Sequence, residues 1–260
     1  MNDKEKLREY IRKNYAKVAQ KGATGGCCSA GCCGNPIDVK KTSENLGYLV
    51  TDLSDVPSEA NMGLGCGNPI AIASLKEGEV VLDLGSGGGF DCFLSRKQVG
   101  ESGYVIGVDM TPEMVKLARN NAKRSGFDNV DFRLGEIEHL PVADSSIDVI
   151  ISNCVINLSL DKEMVFKEAY RVLKNDGRLA ISDVVTTSEL PDEIKQDMKL
   201  LYGCVAGAEH VETIKSILMM ANFKEIKLQP KENSKEIISS WVPGKKIEDY
   251  VASYIIEAIK

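Results

Sequence analysis

The chain has 260 residues, 43% of them hydrophobic and 27% charged, with a net charge of −6. This is an ordinary soluble globular composition, and the acidic balance argues against a nucleic-acid partner, which normally requires a basic face. No run approaches the roughly 18 apolar residues of a membrane span, and MNDKEKLREY lacks the apolar core of a signal peptide, so a cytoplasmic location is expected.

In chain order, Leu7, Tyr10, Ile11, Tyr15 and Val18 recur at helical spacing and predict an amphipathic helix over 3–20. Residues 22–36 form a Gly- and Cys-rich loop containing Cys27, Cys28, Cys32 and Cys33. Cys28 and Cys32 have ligand-like spacing, but no second pair or nearby His completes a zinc site. A second glycine-rich turn carries Cys66, and Pro69 marks a helix start.

Val80 to Leu84 then form a short apolar run suited to a buried parallel strand. Gly85, Gly87 and Gly89 follow at alternate positions, and a helix is expected from Phe90. Glycine allows the backbone to turn sharply and approach a ligand, and the following helix presents free N–H groups. Position 90 is Phe, so the G-x-G-x-x-G dinucleotide fingerprint is not met. Strands are predicted over 104–109, 130–134, 147–152 and 178–184, and helices over 90–99, 112–125 and 161–173. Thr111-Pro112 is a helix start, and Asp109 ends its strand where ribose hydroxyls are held in Rossmann-like folds. Farther on, a helix is expected from 190 to about 202 and another near 211–221. Strands are expected near 224–229 and 235–241, and a final amphipathic helix near 246–259.

The pattern Asp83-x-Gly85-x-Gly87-x-Gly89 resembles the first motif of class I S-adenosylmethionine-dependent methyltransferases. The resemblance implies a Rossmann-like α/β core, a doubly wound and mostly parallel sheet, over residues 70–185. Residues 1–69 and 186–260 would supply substrate-binding additions. It further implies a cofactor set of Asp83, Gly85, Ser86, Gly87, Gly89, Asp109, Met110, Glu136, Ile137 and Asn153, with Glu138 a further candidate.

Closer similarity is to arsenite methyltransferases. It rests on Lys41-Thr42-Ser43, Gly65-Cys66-Gly67, Val108-Asp109-Met110-Thr111, Ser152-Asn153-Cys154-Val155-Ile156-Asn157-Leu158, Glu168 to Leu173, Ser182-Asp183-Val184 and Cys204 in its glycine-rich setting. By that resemblance Cys66, Cys154 and Cys204 bind trivalent arsenic, and one N-terminal cysteine, with Cys33 favoured, completes the catalytic thiols. It implies arsenite and methylated arsenite as substrates and thioredoxin or glutathione as reductant. Cys92 reads as a small buried hydrophobe. The alternatives are a methyltransferase of a small organic acceptor and a thiol-based metalloid-binding protein.

Overall fold

The computed structural model describes residues 3–21, 38–54, 56–195, 204–241 and 246–260. The four N-terminal cysteines, Cys33 among them, and most of the helix expected over 190–202 lie outside these residues. Among the described residues no helix is long and apolar enough to cross a membrane.

One seven-stranded sheet organises the chain. Its strands are β1 (Val80–Leu84), β2 (Tyr104–Asp109), β3 (Val130–Leu134), β4 (Ile147–Asn153), β5 (Leu173–Thr186), β6 (Lys224–Pro230) and β7 (Val251–Ile259), ordered β3-β2-β1-β4-β5-β7-β6. The first five in that order run parallel, while β7 pairs antiparallel with both β5 and β6. This is the mostly parallel doubly wound sheet expected, and the strand order reverses between β1 and β4. The segment after 186 extends the same sheet by two strands.

Side chains of β1 alternate between two cores. Leu82 and Leu84 join a cluster with Ile150, Phe166 and Leu218 on one face. Val81 joins Val105, Phe93 and Ala118 on the other. The helices covering these faces include α4 (Pro69–Ala73), α5 (Phe90–Val99), α6 (Pro112–Ser125), α7 (Lys162–Val172) and α9 (Val211–Met220). Two short helices, α2 (Val39–Leu46) and α3 (Val50–Ser54), precede them, and α8 (Asp192–Lys195) follows β5. Helix α1 (Asp3–Lys21) buries Ile11 and packs on α6.

Two C-terminal expectations are corrected. Residues 235–241 belong to helix α10 (Ser234–Trp241), which buries Ile237 and Ile238. Residues 251–259 form strand β7 rather than a helix. The apolar positions there fit both periods, so pattern alone could not arbitrate. The antiparallel edge of β5 decides it, because its backbone groups need partners and Val251, Ile255, Ile256 and Ile259 suit a pleated surface.

Candidate active site

At the carboxyl ends of the parallel strands lies a cleft of ≈ 920 Å³, open on one side. The turn after β1 forms its floor. Gly85, Gly87 and Gly89 all have positive φ, at 70°, 51° and 93°. A Cβ on Gly85 would collide with Val155, and one on Gly89 would lie 2.7 Å from Phe132. A Cβ on Gly87 would meet nothing within 4 Å, so this position alone of the three faces open space. The Gly85 and Ser86 N–H groups donate to the Val108 carbonyl, which anchors the turn to β2. Ser86 is itself buried and, like Gly89, shapes the turn from behind.

Asp109 closes β2 and lines the cleft. Its Oδ2 accepts from Gly87 N at 3.0 Å and its Oδ1 from Thr111 N at 2.8 Å. Burial raises its pKa, and the two backbone bonds oppose that rise. Met110, Met114 and Ile137 supply an apolar wall. Arg8 and Tyr15 of α1 reach the cleft from above.

Asp83 does not line this cleft. It is buried behind the turn, where the Cys92 thiol donates to it at 3.3 Å. Burial, then the neighbouring Asp91 charge, pushes its pKa well up. Cys92 is wholly buried, and burial with the adjacent Asp83 holds its thiol protonated far above the usual range. Of the acidic pair after β3, Glu136 is partly exposed and sits 3.6 Å from Arg8. Glu138 is buried, accepts from Ser159 Oγ at 2.6 Å and lines the cleft beside Ile137.

The inner end of the same cleft is lined by Cys154 and Cys204. Cys154 follows β4 directly, with φ 57°, and Cys204 has φ 66°. Left-handed backbone at two non-glycine residues is uncommon and aims their side chains inward. The Cys66 sulfur, the Cys154 sulfur and a carboxylate oxygen of Asp183 all lie within 4.8 Å of one another. Burial pushes the Cys154 thiol well up, and the adjoining Cys204 and Cys66 thiols add to it. Val184, Leu190, Val205 and Ile238 pack around the sulfurs, with Trp241 against them. The described cysteines carry no disulfide.

Sequence reasoning assigned no role to three polar neighbours of this cluster. Asp183 is buried and accepts from Ile156 N, Asn157 Nδ2 and Val184 N, while burial still lifts its pKa to about 6. Ser182 Oγ lies 3.7 Å from the Cys66 sulfur. The Lys231 ammonium, its pKa drawn down by burial, sits near Cys66 and Cys154. Asp183 and Ser182 fall at the carboxyl end of β5, the one signal that could have found them.

Residues 75–238 match the methyltransferase domain family. An arsenite methyltransferase from Halobacterium salinarum is 48% identical over 99% of this chain and 68% of its own length. One from Aquipseudomonas alcaligenes is 44% identical over 78% of this chain and 58% of its own length. The chain thus spans between about half and two thirds of these relatives; for a mouse arsenite methyltransferase, 39% identical, the share is 55%. The crystal structure of an arsenic(III) S-adenosylmethionine methyltransferase from Chlamydomonas reinhardtii superposes with TM-score 0.60 at 32% identity, covering 86% of this chain and 74% of that one. A Haemonchus contortus phosphoethanolamine N-methyltransferase, at 18% identity and TM-score 0.65, shares the fold. With near-complete coverage at 48% identity and a thiol cluster at one end of a methyltransferase cleft, the chain belongs to the arsenite methyltransferase family.

Proposed function

We propose that this chain transfers methyl groups from S-adenosylmethionine to trivalent arsenic held by the thiolates of Cys66, Cys154 and Cys204. The observation that carries this reading is the convergence of three thiols at the inner end of the cleft into which the Gly87 turn opens.

The cleft suits S-adenosylmethionine. Gly87 leaves space where a side chain would intrude, Asp109 offers carboxylate oxygens for ribose hydroxyls, and Met110, Met114 and Ile137 offer an apolar surface for adenine. Bound there, S-adenosylmethionine would supply an electrophilic methyl group on a sulfonium, open to attack by the arsenic lone pair, with the As–C bond forming as the C–S bond breaks and S-adenosylhomocysteine leaving.

The chain's own residues do the rest. Each thiol exchanges with an arsenite hydroxyl: an As–S bond forms, an As–O bond breaks, and the thiol proton leaves in the released water. Thiols exchange in this way without ionising first, and soft sulfur suits a thiophilic centre. Two or three As–S bonds fix the direction of the arsenic lone pair, which is the alignment on which methyl transfer depends. Val184, Val205, Ile238 and Trp241 exclude water from this end.

Two cysteines becoming a disulfide can supply two electrons to methylated arsenic after transfer, and thioredoxin or glutathione would restore the thiols. Cys33 or its neighbours would serve as resolving thiol. Free thiols of this kind suit a reducing compartment such as the cytoplasm.

The test is product analysis by mass spectrometry, with arsenite, S-adenosylmethionine and a dithiol. Methylated arsenic is expected. Methylation of an organic acceptor without arsenite, or tight arsenite binding with no methylated product, would overturn the reading.

A further inference from the structure

We infer that Asn153 is a positioning residue that holds Cys66 in the arsenic-binding set, an inference that rests on the arsenite reading above. Asn153 ends β4 and immediately precedes Cys154. Its Oδ1 accepts from the backbone N–H of Cys66 at 3.0 Å. Its Nδ2 donates to the Gly67 carbonyl at 2.8 Å and to the Tyr48 hydroxyl at 3.0 Å. Turning the amide over would set Nδ2 against an N–H and Oδ1 against a carbonyl, so these partners define its orientation.

The loop is shaped to receive this amide. Gly65 has φ 119°, and a Cβ there would lie 2.6 Å from Asn153 Oδ1. The amide is fixed from behind as well, since Tyr48 donates to Asp91 at 2.7 Å. Ser253 Oγ donates to the Cys66 carbonyl at 2.8 Å, so both backbone groups of Cys66 are held. One side chain thus ties two ligands that are far apart in sequence: Cys154 through its own backbone, and Cys66 through a hydrogen bond.

The chemistry gives this role a distinctive signature. Arsenite can exchange three oxygens for sulfur, so it uses Cys66 together with Cys154 and Cys204. Monomethylarsenite already has one carbon bond and needs only two sulfurs. Loosening Cys66 adds an ordering cost to the third As–S bond alone.

The experiment is Asn153→Ala in the full chain, titrated with arsenite, with monomethylarsenite and with S-adenosylmethionine. The fluorescence of Trp241, the one tryptophan of the chain, reports the arsenicals, because it lines the cleft with Cys154 and Cys204. Arsenite affinity should fall about tenfold, while monomethylarsenite affinity changes by less than about threefold. Equal losses for both arsenicals, an unchanged arsenite affinity, or a loss confined to S-adenosylmethionine would overturn the inference. Should Asn153→Ala fail to fold, Tyr48→Phe removes one support of the amide. It should weaken arsenite by about threefold with monomethylarsenite unchanged, and no such split would overturn the inference. Wild-type protein without an arsenite response would sink the function reading itself, and this inference with it.

Discussion

The Cys204 thiol donates a 2.7 Å hydrogen bond to the backbone carbonyl of Cys154. Both residues have left-handed backbone, and both line the cleft, whereas Cys66 is wholly buried behind them. Cys154 and Cys204 are thus a pre-aligned pair next to the expected methyl group. On the proposed arsenite reading, Cys66 would be the added third ligand.

This division predicts different losses. Serine keeps the size of cysteine but is a poor soft ligand. Cys154→Ser and Cys204→Ser should each abolish methylation of arsenite and of monomethylarsenite. Cys66→Ser and Cys33→Ser should lose mainly the first. Both activities are measured in all four variants after S-adenosylmethionine binding has been verified. Full arsenite activity in Cys154→Ser would remove the central assignment.

The turn gives a second prediction. Valine at Gly87 would project into the open cleft and resist φ 51°, at a backbone cost of about 1–2 kcal/mol. Gly87→Val should therefore fold, with Tm lowered by about 3–6 °C. Its affinity for S-adenosylmethionine should drop at least ~tenfold by calorimetry, because the side chain occupies ligand space. Unchanged cofactor affinity would show that the ligand does not approach this turn.

Glu138 and Glu136 are separable by substitution. Both carboxylates lie within ion-pair reach of Arg8, but Glu138 is buried on the cleft wall while Glu136 is partly exposed. Glu138→Gln should weaken S-adenosylmethionine binding about tenfold, and Glu136→Gln by less than about threefold. Equilibrium binding of the two variants decides between them, and the reverse ranking would restore Glu136 as the cofactor contact.

Asp91 makes a pH-dependent prediction. Burial raises its pKa from 3.8 to about 6, with the Tyr48 and Asn153 hydrogen bonds opposing the rise. The folded protein therefore holds this proton more tightly than the unfolded chain. That stabilisation is present below pH ~4 and is lost as pH climbs to about 6. Asn cannot ionise, so Asp91→Asn should gain stability relative to wild type by about 2 kcal/mol between pH 4.5 and pH 8. Denaturant titrations at the two pH values measure it. A difference independent of pH would mean that Asp91 ionises in the folded protein as it does in water.

The linear order of residues determined the β1 turn, the strand and helix alternation of the core, and Asp109 at the end of β2. Each of these depends on local geometry or on where a strand ends, and both are written in spacing. The cysteines worth testing came from the family resemblance that the same sequence carries. Tertiary structure alone decided that Asp83 faces Cys92 rather than the cleft, and that Glu138 rather than Glu136 lines it. It decided that residues 251–259 are a strand, because the free edge of β5 outweighed a pattern that also fits a helix. It also brought Asn153 to the backbone N–H, and Ser182 and Asp183 to the sulfur, of a cysteine more than 80 positions away. Contacts of that kind depend on which strand ends meet across the sheet, and that follows from packing of the whole core rather than from any local run of residues.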